Sequence, residues 1–526
     1  MTQAASEKNA PPGSGGPTGT ASEPRRGPVA TRHLLHHQPA IFEQGAPGRS
    51  GASLPPWDVP AVDPAACFGD LARDQPPGLP EVSEVDVTRH FTRLSRWNYA
   101  IDIGMYPLGS CTMKYNPKVN ERVARMPGFA GLHPAQPLST LQGALELMYR
   151  LEQVLREISG FARVTLQPAA GAHGELCGLM MMRAYHQSQG RHPKKVLIPD
   201  SAHGTNPASA ALNQFETVAL KTGADGLLHA EAVHAAIAQY KGDIAGLMIT
   251  NPSTLGLFEE QIAEITAAIH AAGGLVYMDG ANFNALLGKV RPGDIGVDCM
   301  HFNLHKTFTT PHGGGGPGAG PVGVSERLVP FLPTPTVEKD GEAYTLSWDR
   351  PQSIGRMRSF FGNFGMMVRA YTYIREMGGA GLSQATEMAV LNAVYLRARI
   401  ADVYPVCSER PSMHEVVVTD KRLKKETGVQ TLDVAKRLID YGFHPPTVYF
   451  PLVVPGALMI EPTETESKET LDEFADALLS IAQEAAQNPE LVKTAPHNTA
   501  MRRLDETRAA RHPRLRWLPT PPTTTK

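Results

Sequence analysis

The sequence predicts an α/β protein in which a large domain on a mostly parallel sheet precedes a smaller α+β domain. Three observations predict this. Between about residues 139 and 302, stretches with helical periodicity alternate with short apolar runs, the pattern of right-handed βαβ units. Polar or glycine-rich clusters follow several of those runs, where a sheet of this kind binds its ligands. From about residue 378 the glycine density falls and a second group of helices and strands begins.

Taken in order, Ser139-Thr-Leu-Gln142 has a capping-box pattern, and Leu141, Leu145, Met148, Tyr149 and Leu155 recur at helical spacing until Gly160 stops the helix. A strand at 163–167 leads through a glycine-rich turn into a helix ending near 189. Strand 195–199, helix 229–240, strand 244–250, helix 258–272 and strands 274–278 and 298–302 complete the large domain. The smaller domain reads as helix 391–399, strand 415–419 and helices 431–441 and 471–487. The expected division is a disordered arm at 1–40, rich in Pro, Gly, Ser and Thr, and an N-terminal segment with an entrance loop at 41–135. The large domain follows at 136–377, the small domain at 378–497 and a tail at 498–526.

Composition narrows the function. Lys plus Arg number 50 against 52 for Asp plus Glu, so no charge excess points to nucleic acid or an anionic membrane. No apolar run approaches the roughly 18 residues of a membrane span. The five cysteines are scattered without metal-ligand spacing, a usage that fits a reducing compartment, the cytoplasm by default.

Three clusters carry chemistry. Lys306 follows a buried-looking strand, sits among Phe302, Leu304, His305 and Phe308, and precedes a glycine-rich loop at 311–320. A lysine in such surroundings forms a Schiff base when its amine can lose a proton. Asp279 ends the run Leu275-Val-Tyr-Met278, where a carboxylate can pair with a protonated pyridine nitrogen. Gln167-Pro-Ala-Ala-Gly-Ala-His-Gly174 is a strand-to-helix turn that offers backbone N–H groups and a positive helix end to a phosphate, with His173 placed to stack on a ring. Two other patterns fail on context. Gly313 to Gly318 satisfies GxGxxG but does not open a helix. His173-Gly-Glu175 resembles the HxE of zinc deaminases but no PCxxC follows, so no metal is expected.

Several long stretches carry a family resemblance: 105–117, 167–175, 201–207, 251–256, 277–282 and 303–324. On these the chain resembles the C-terminal half of the glycine-cleavage P-protein, a fold-type I (aspartate-aminotransferase-like) pyridoxal-phosphate enzyme. Length and the 353–365 stretch resemble the second (C-terminal-half) subunit of glycine dehydrogenase (decarboxylating), the form split into two chains. The resemblance spans about residues 35–517. It implies pyridoxal 5'-phosphate held covalently on Lys306, with Asp279 on the ring nitrogen, His173 stacked on the ring, and Ala170, Gly171 and His305 near the phosphate. Thr254 or Asn251 would meet the phenolic oxygen. Proton transfers would fall to Lys306, His305 or His312, and 105–117 would form a lid or entrance loop that carries Cys111, a candidate redox-sensitive thiol. The family's His-Pro-His-Gln-Pro reads His133-Pro-Ala-Gln-Pro137 here, a departure that weakens a catalytic role there.

The implied reaction is decarboxylation of glycine with transfer of the aminomethyl group to the lipoyl arm of the H-protein. The implied assembly is α2β2 with a homologous subunit 1. Another type I enzyme, such as an aminotransferase or amino-acid decarboxylase, is the nearest alternative. A non-catalytic subunit is the other, and retention of Lys306 and Asp279 argues against it.

Overall fold

The computed structural model describes residues 38–75, 77–313 and 318–518. The arm expected at 1–40 therefore lies outside the described residues except for 38–40, as do the end of the tail from 519 onward and 314–317 of the glycine-rich loop. The chain forms two compact units, one from residues up to Tyr99 together with Leu504 onward, the other Ala100–Arg503. In the first, helix Glu84–Ser95 starts at a capping box between Ser83 and Asp86, and among its described residues only Val82 and His90 are buried.

The second unit holds a seven-stranded sheet of β1 (Arg163–Thr165), β2 (Lys195–Pro199), β3 (Glu216–Leu220), β4 (Ile244–Thr250), β5 (Leu275–Gly280), β6 (Cys299–Phe302) and β7 (Val322–Val324). Its order is β1-β7-β6-β5-β4-β2-β3. Strands β3, β2, β4, β5 and β6 run parallel, while β7 is antiparallel to both β6 and β1. Side chains divide between two cores, alternating along each strand except at Ala245, where the pairing of β2 with β4 shifts register. Leu247, Ile249, Val276, Met278, Met300 and Phe302 enter one, and Ala245, Met248, Leu275, Tyr277 and Cys299 enter the other. A parallel sheet buried on both faces has this two-residue period with apolar groups on each side. No helix among the described residues is long and apolar enough to cross a membrane.

Helix Gln142–Ser159 ends as expected at Gly160, whose φ of 78° is left-handed. Its start differs from the expectation. Ser139 lies in a 3-10 turn, Leu138–Thr140, and the helix begins after Leu141 with no side-chain cap. The capping box fails because Gln142 is engaged elsewhere: its side-chain amide pairs with the backbone of Tyr344, donating to the carbonyl and accepting from the N–H. Tyr344 belongs to a hairpin of β8 (Thr336–Asp340) and β9 (Ala343–Ser347).

Helix Phe364–Ile400 is broken at Gly378, where φ is 60° and ψ 179°. Beyond it, β10 (Val416–Thr419), β11 (Thr447–Val448) and β12 (Ala457–Ile460) form an antiparallel sheet in the order β10-β12-β11. Helices Thr431–Asp440 and Lys468–Gln487 cover it, around a core that includes Leu396, Val418, Phe474 and Leu478.

Candidate active site

The carboxyl ends of β4, β5 and β6 open into a cavity of about 240 Å³. Thr250, Asp279 and His301 line it from the strands, and Gly171, Ala172 and Glu175 from the start of helix Gly171–Ser188. His203, Thr205, Thr254 and Ser110 come from loops and a helix start, and Asn303, His305 and Lys306 from the chain just after β6.

Lys306 sits on the single helical turn Leu304–Thr307, and its Nζ donates to the Ser110 carbonyl at 2.7 Å. Asp279 is 3% exposed. Its Oδ1 accepts from the Ala281 N–H at 2.9 Å and its Oδ2 from Asn206 Nδ2 at 3.1 Å, and His301 Nε2 lies 3.3 Å from Oδ1. Burial pushes this carboxyl up, but His301, the Ala281 N–H, Lys306 and Asn206 together hold it below the ordinary aspartate value. Asp279 is therefore an anion at the cavity floor. Glu175 is the contrast beside it: burial, then Asp279, push it up to about 7, although Thr205 and Ser209 donate their hydroxyls to it.

Backbone fills the other wall. Ala170 precedes helix Gly171–Ser188 in an extended conformation and gives no side-chain cap, so the first N–H groups keep their positive end for a ligand. A Cβ at Gly171 would lie 2.7 Å from Asn303 Nδ2 and 2.9 Å from His301 Nε2, so only glycine lets this turn approach the end of β6. Two cavity-lining polar atoms, Thr250 Oγ1 and His305 Nδ1, are buried without a hydrogen-bond partner among the described residues. An uncapped helix start, unpartnered polar atoms, a buried carboxylate and one lysine fit a ring cofactor with an anionic arm and a protonated ring nitrogen.

Of the residues singled out in the sequence, Lys306, Asp279, Gly171, Thr254 and His305 line this one cavity. His173 does not. Successive helical side chains are separated by about 100°, so Ala172 and Glu175 share the cavity face while His173 turns away and its Nδ1 accepts from the Ala169 N–H at 3.1 Å. His203 does line the cavity, within a stretch the sequence flagged only as part of a longer match. Ala170 contributes the helix cap without lining the cavity. Asn251 also stays out: its Oδ1 accepts from the Glu259 N–H at 3.0 Å. Thr254 donates to the Ser201 carbonyl. His312 lies beyond His305, ring centroids 5.0 Å apart, with its Nε2 3.2 Å from the Cys111 carbonyl. Burial, then His312 and Lys306, press His305 down to about 3, and burial and Lys306 press His312 to about 4. Both rings are neutral at physiological pH.

The 105–117 segment is fastened around Lys306. Ser110 and Thr112 adopt positive φ of 63° and 46°. Their N–H groups donate to Glu415 and Glu461, each at 2.9 Å. Lys114, with a fully buried side chain, reaches Glu464 at 2.6 Å, Asn284 Oδ1 at 2.6 Å and the Thr307 carbonyl at 3.0 Å. Burial raises the Cys111 thiol above its ordinary value, so it is held as the unreactive thiol form.

Comparison with known proteins adds the following. The family described as "Glycine dehydrogenase, C-terminal domain" matches residues 385–502. A probable glycine dehydrogenase (decarboxylating) subunit 2 of Caldanaerobacter subterraneus subsp. tengcongensis is 57% identical over 488 residues, 92% of this chain and 99% of that protein. The protein of the same description from Bacillus licheniformis is 57% identical over 482 residues, 91% of this chain and 99% of its own. Among solved structures, an inhibitor-bound glycine decarboxylase (P-protein) of the glycine cleavage system aligns with a TM-score of 0.66 at 19% identity, covering 79% of this chain and 94% of that one. An aspartate aminotransferase from Thermus thermophilus aligns at 0.52 and 14% identity, covering 72% and 99%. At these identities the structural matches speak for the fold, the α/β architecture with the mostly parallel sheet that the sequence predicts.

Proposed function

The chain belongs to the glycine dehydrogenase (decarboxylating) subunit 2 family, and from that premise we propose that it decarboxylates glycine with pyridoxal 5'-phosphate and passes the aminomethyl group to the lipoyl disulfide of the H-protein. The observation that carries the reading is that Lys306, Asp279 and the uncapped turn at Gly171 line one cavity.

In this reading the Lys306 amine carries the cofactor and Asp279, held as an anion, pairs with the ring nitrogen. Backbone N–H groups at Gly171 and Ala172, with His305 and Asn303, take the phosphate. His203 covers the ring, in place of His173. Thr254 is preferred over Asn251 for the phenolic oxygen, because Thr254 alone of the two lines the cavity. Bound there, the cofactor supplies a sink for the electron pair left when the carboxylate departs. His305 and His312, lowered to about 3 and about 4, are neutral rings with little affinity for a second proton, so the Lys306 amine, steadied by the Ser110 carbonyl, is the group to hold and return protons.

A subunit 2 implies a subunit 1. The working assembly in this reading is an α2β2 complex in the cytoplasm, with lipoylated H-protein as the acceptor. The test is exchange of labelled bicarbonate into glycine by the purified chain, with subunit 1 and H-protein added. The expected result is exchange that needs H-protein and is lost in Lys306→Ala. Cofactor absorbance without exchange would leave the fold and remove the reaction.

A further inference from the structure

Behind the Ser110 turn lies a buried acid cluster that the proposed reaction does not use. Strands β10 and β12 pair antiparallel with Val416 opposite Ile460. One step beyond that pair the same register sets Glu415 against Glu461, and both are 0% exposed. His414, also 0% exposed, joins them: one ring nitrogen and one oxygen from each carboxyl all lie within 4.8 Å of one another. Like charges set opposite each other on paired strands repel, and here no bulk water screens them.

Each carboxyl has one oxygen satisfied and one not. Glu415 Oε2 accepts from the Ser110 N–H and Glu461 Oε2 from the Thr112 N–H. Glu415 Oε1 and Glu461 Oε1 have no hydrogen-bond donor among the described residues, and neither ring nitrogen of His414 has a partner there. Burial, Lys306 and Lys114 push His414 down to about 3, so the ring brings no positive charge. The titratable groups that face the pair are Lys306, Lys114, the neutral Cys111 thiol and, through its ion pair with Lys114, Glu464. With no donor among the described residues for either free oxygen, a single proton on the pair relieves both.

We propose that Glu415 and Glu461 are positioning residues that act as one acid, sharing a single proton, and that the one negative charge they retain is presented to the amine end of Lys306 through the Ser110 turn. The link is direct in the geometry: Ser110 gives its N–H to Glu415 and takes the Lys306 ammonium on its carbonyl. Burial and the neighbouring Glu461 push Glu415 well above the ordinary glutamate value, and burial pushes Glu461 up to about 7. The charge of the pair is a property of this chain alone. Its service to Lys306 rests on the function proposed above.

Glutamine matches the shape of a protonated glutamate, and this makes the test selective. Infrared spectra of the cofactor-free full chain at neutral pH, in water and deuterium oxide, are taken as wild type minus variant, so that other raised carboxyls such as Glu175 cancel. The difference should hold one protonated carboxyl band, the same for Glu415→Gln as for Glu461→Gln, because in each variant the remaining carboxyl ionises. In a second measurement, the pH midpoint of the Lys306-linked cofactor absorbance should stay unchanged in either single variant. It should fall by about one unit in the double variant, which loses the negative charge. No protonated band in the wild-type-minus-variant difference, or a midpoint that each single variant shifts by half the double's shift, overturns the proposal. So does a divalent metal that co-purifies stoichiometrically and is lost in Glu461→Gln. Absence of any cofactor absorbance would sink the proposed function while the infrared result still decides the pair.

Discussion

Asp279 and the pair Glu415 with Glu461 are acids of nearly equal depth, 3% exposed against 0% and 0%, and their proton affinities move in opposite directions. Asp279 is held down, whereas both glutamates are pushed up. Burial penalises all three. Asp279 has an N–H donor on each oxygen and a histidine at 3.3 Å. Each glutamate has one backbone N–H and an acid for a neighbour. Depth sets the penalty, but the number of donors and the sign of the nearest charge decide whether the carboxyl keeps its proton.

Removing a cation from this environment gives the largest effect. Lys114→Met leaves Glu464 with no partner ammonium in a buried site and should cost about 3–5 kcal/mol of stability, read by denaturant unfolding. Asp279→Asn keeps the shape and deletes the anion. Glycine–bicarbonate exchange should fall on the order of a hundredfold while the fold persists. A smaller effect separates the two histidines: His203→Ala should weaken cofactor binding by about three- to tenfold, and His173→Ala should leave it nearly unchanged in an absorbance titration.

The smallest effect is a slope. A carboxyl whose folded value is raised binds its proton more tightly in the native state. The stability Glu461 confers is thus greatest below the unfolded glutamate value and declines as pH rises toward about 7. Glu461→Gln should flatten the decline of stability between about pH 4.5 and 7. Asp279 works in reverse, its contribution being present above the unfolded aspartate value and lost as pH falls through its lowered folded value.

Much of this was legible in the sequence because burial leaves a pattern. Strand β4, buried along its whole length, reads as an unbroken apolar run and coincides with the expected 244–250. Strand β3 escaped notice: it is an edge strand with three of five residues exposed, and its helix neighbour Thr205–Leu212 is short. Lys306 and Asp279 were legible since each closely follows an apolar strand run. His173 turns away from the cavity because of helical phase: the sequence shows that a histidine is near the turn but not which way the first turn of the helix faces. Glu415 and Glu461 stand 46 positions apart, and only the register of β10 on β12 brings them together.

The account turns on which amine carries the cofactor, and the chain offers two buried or half-buried lysines near the site, Lys306 and Lys114. Borohydride reduction of the cofactor-loaded chain, digestion and mass spectrometry would locate the modified residue. The account predicts a single pyridoxyl-modified peptide, with the label on Lys306. Label on Lys114 or on any other lysine, or none at all, would contradict it.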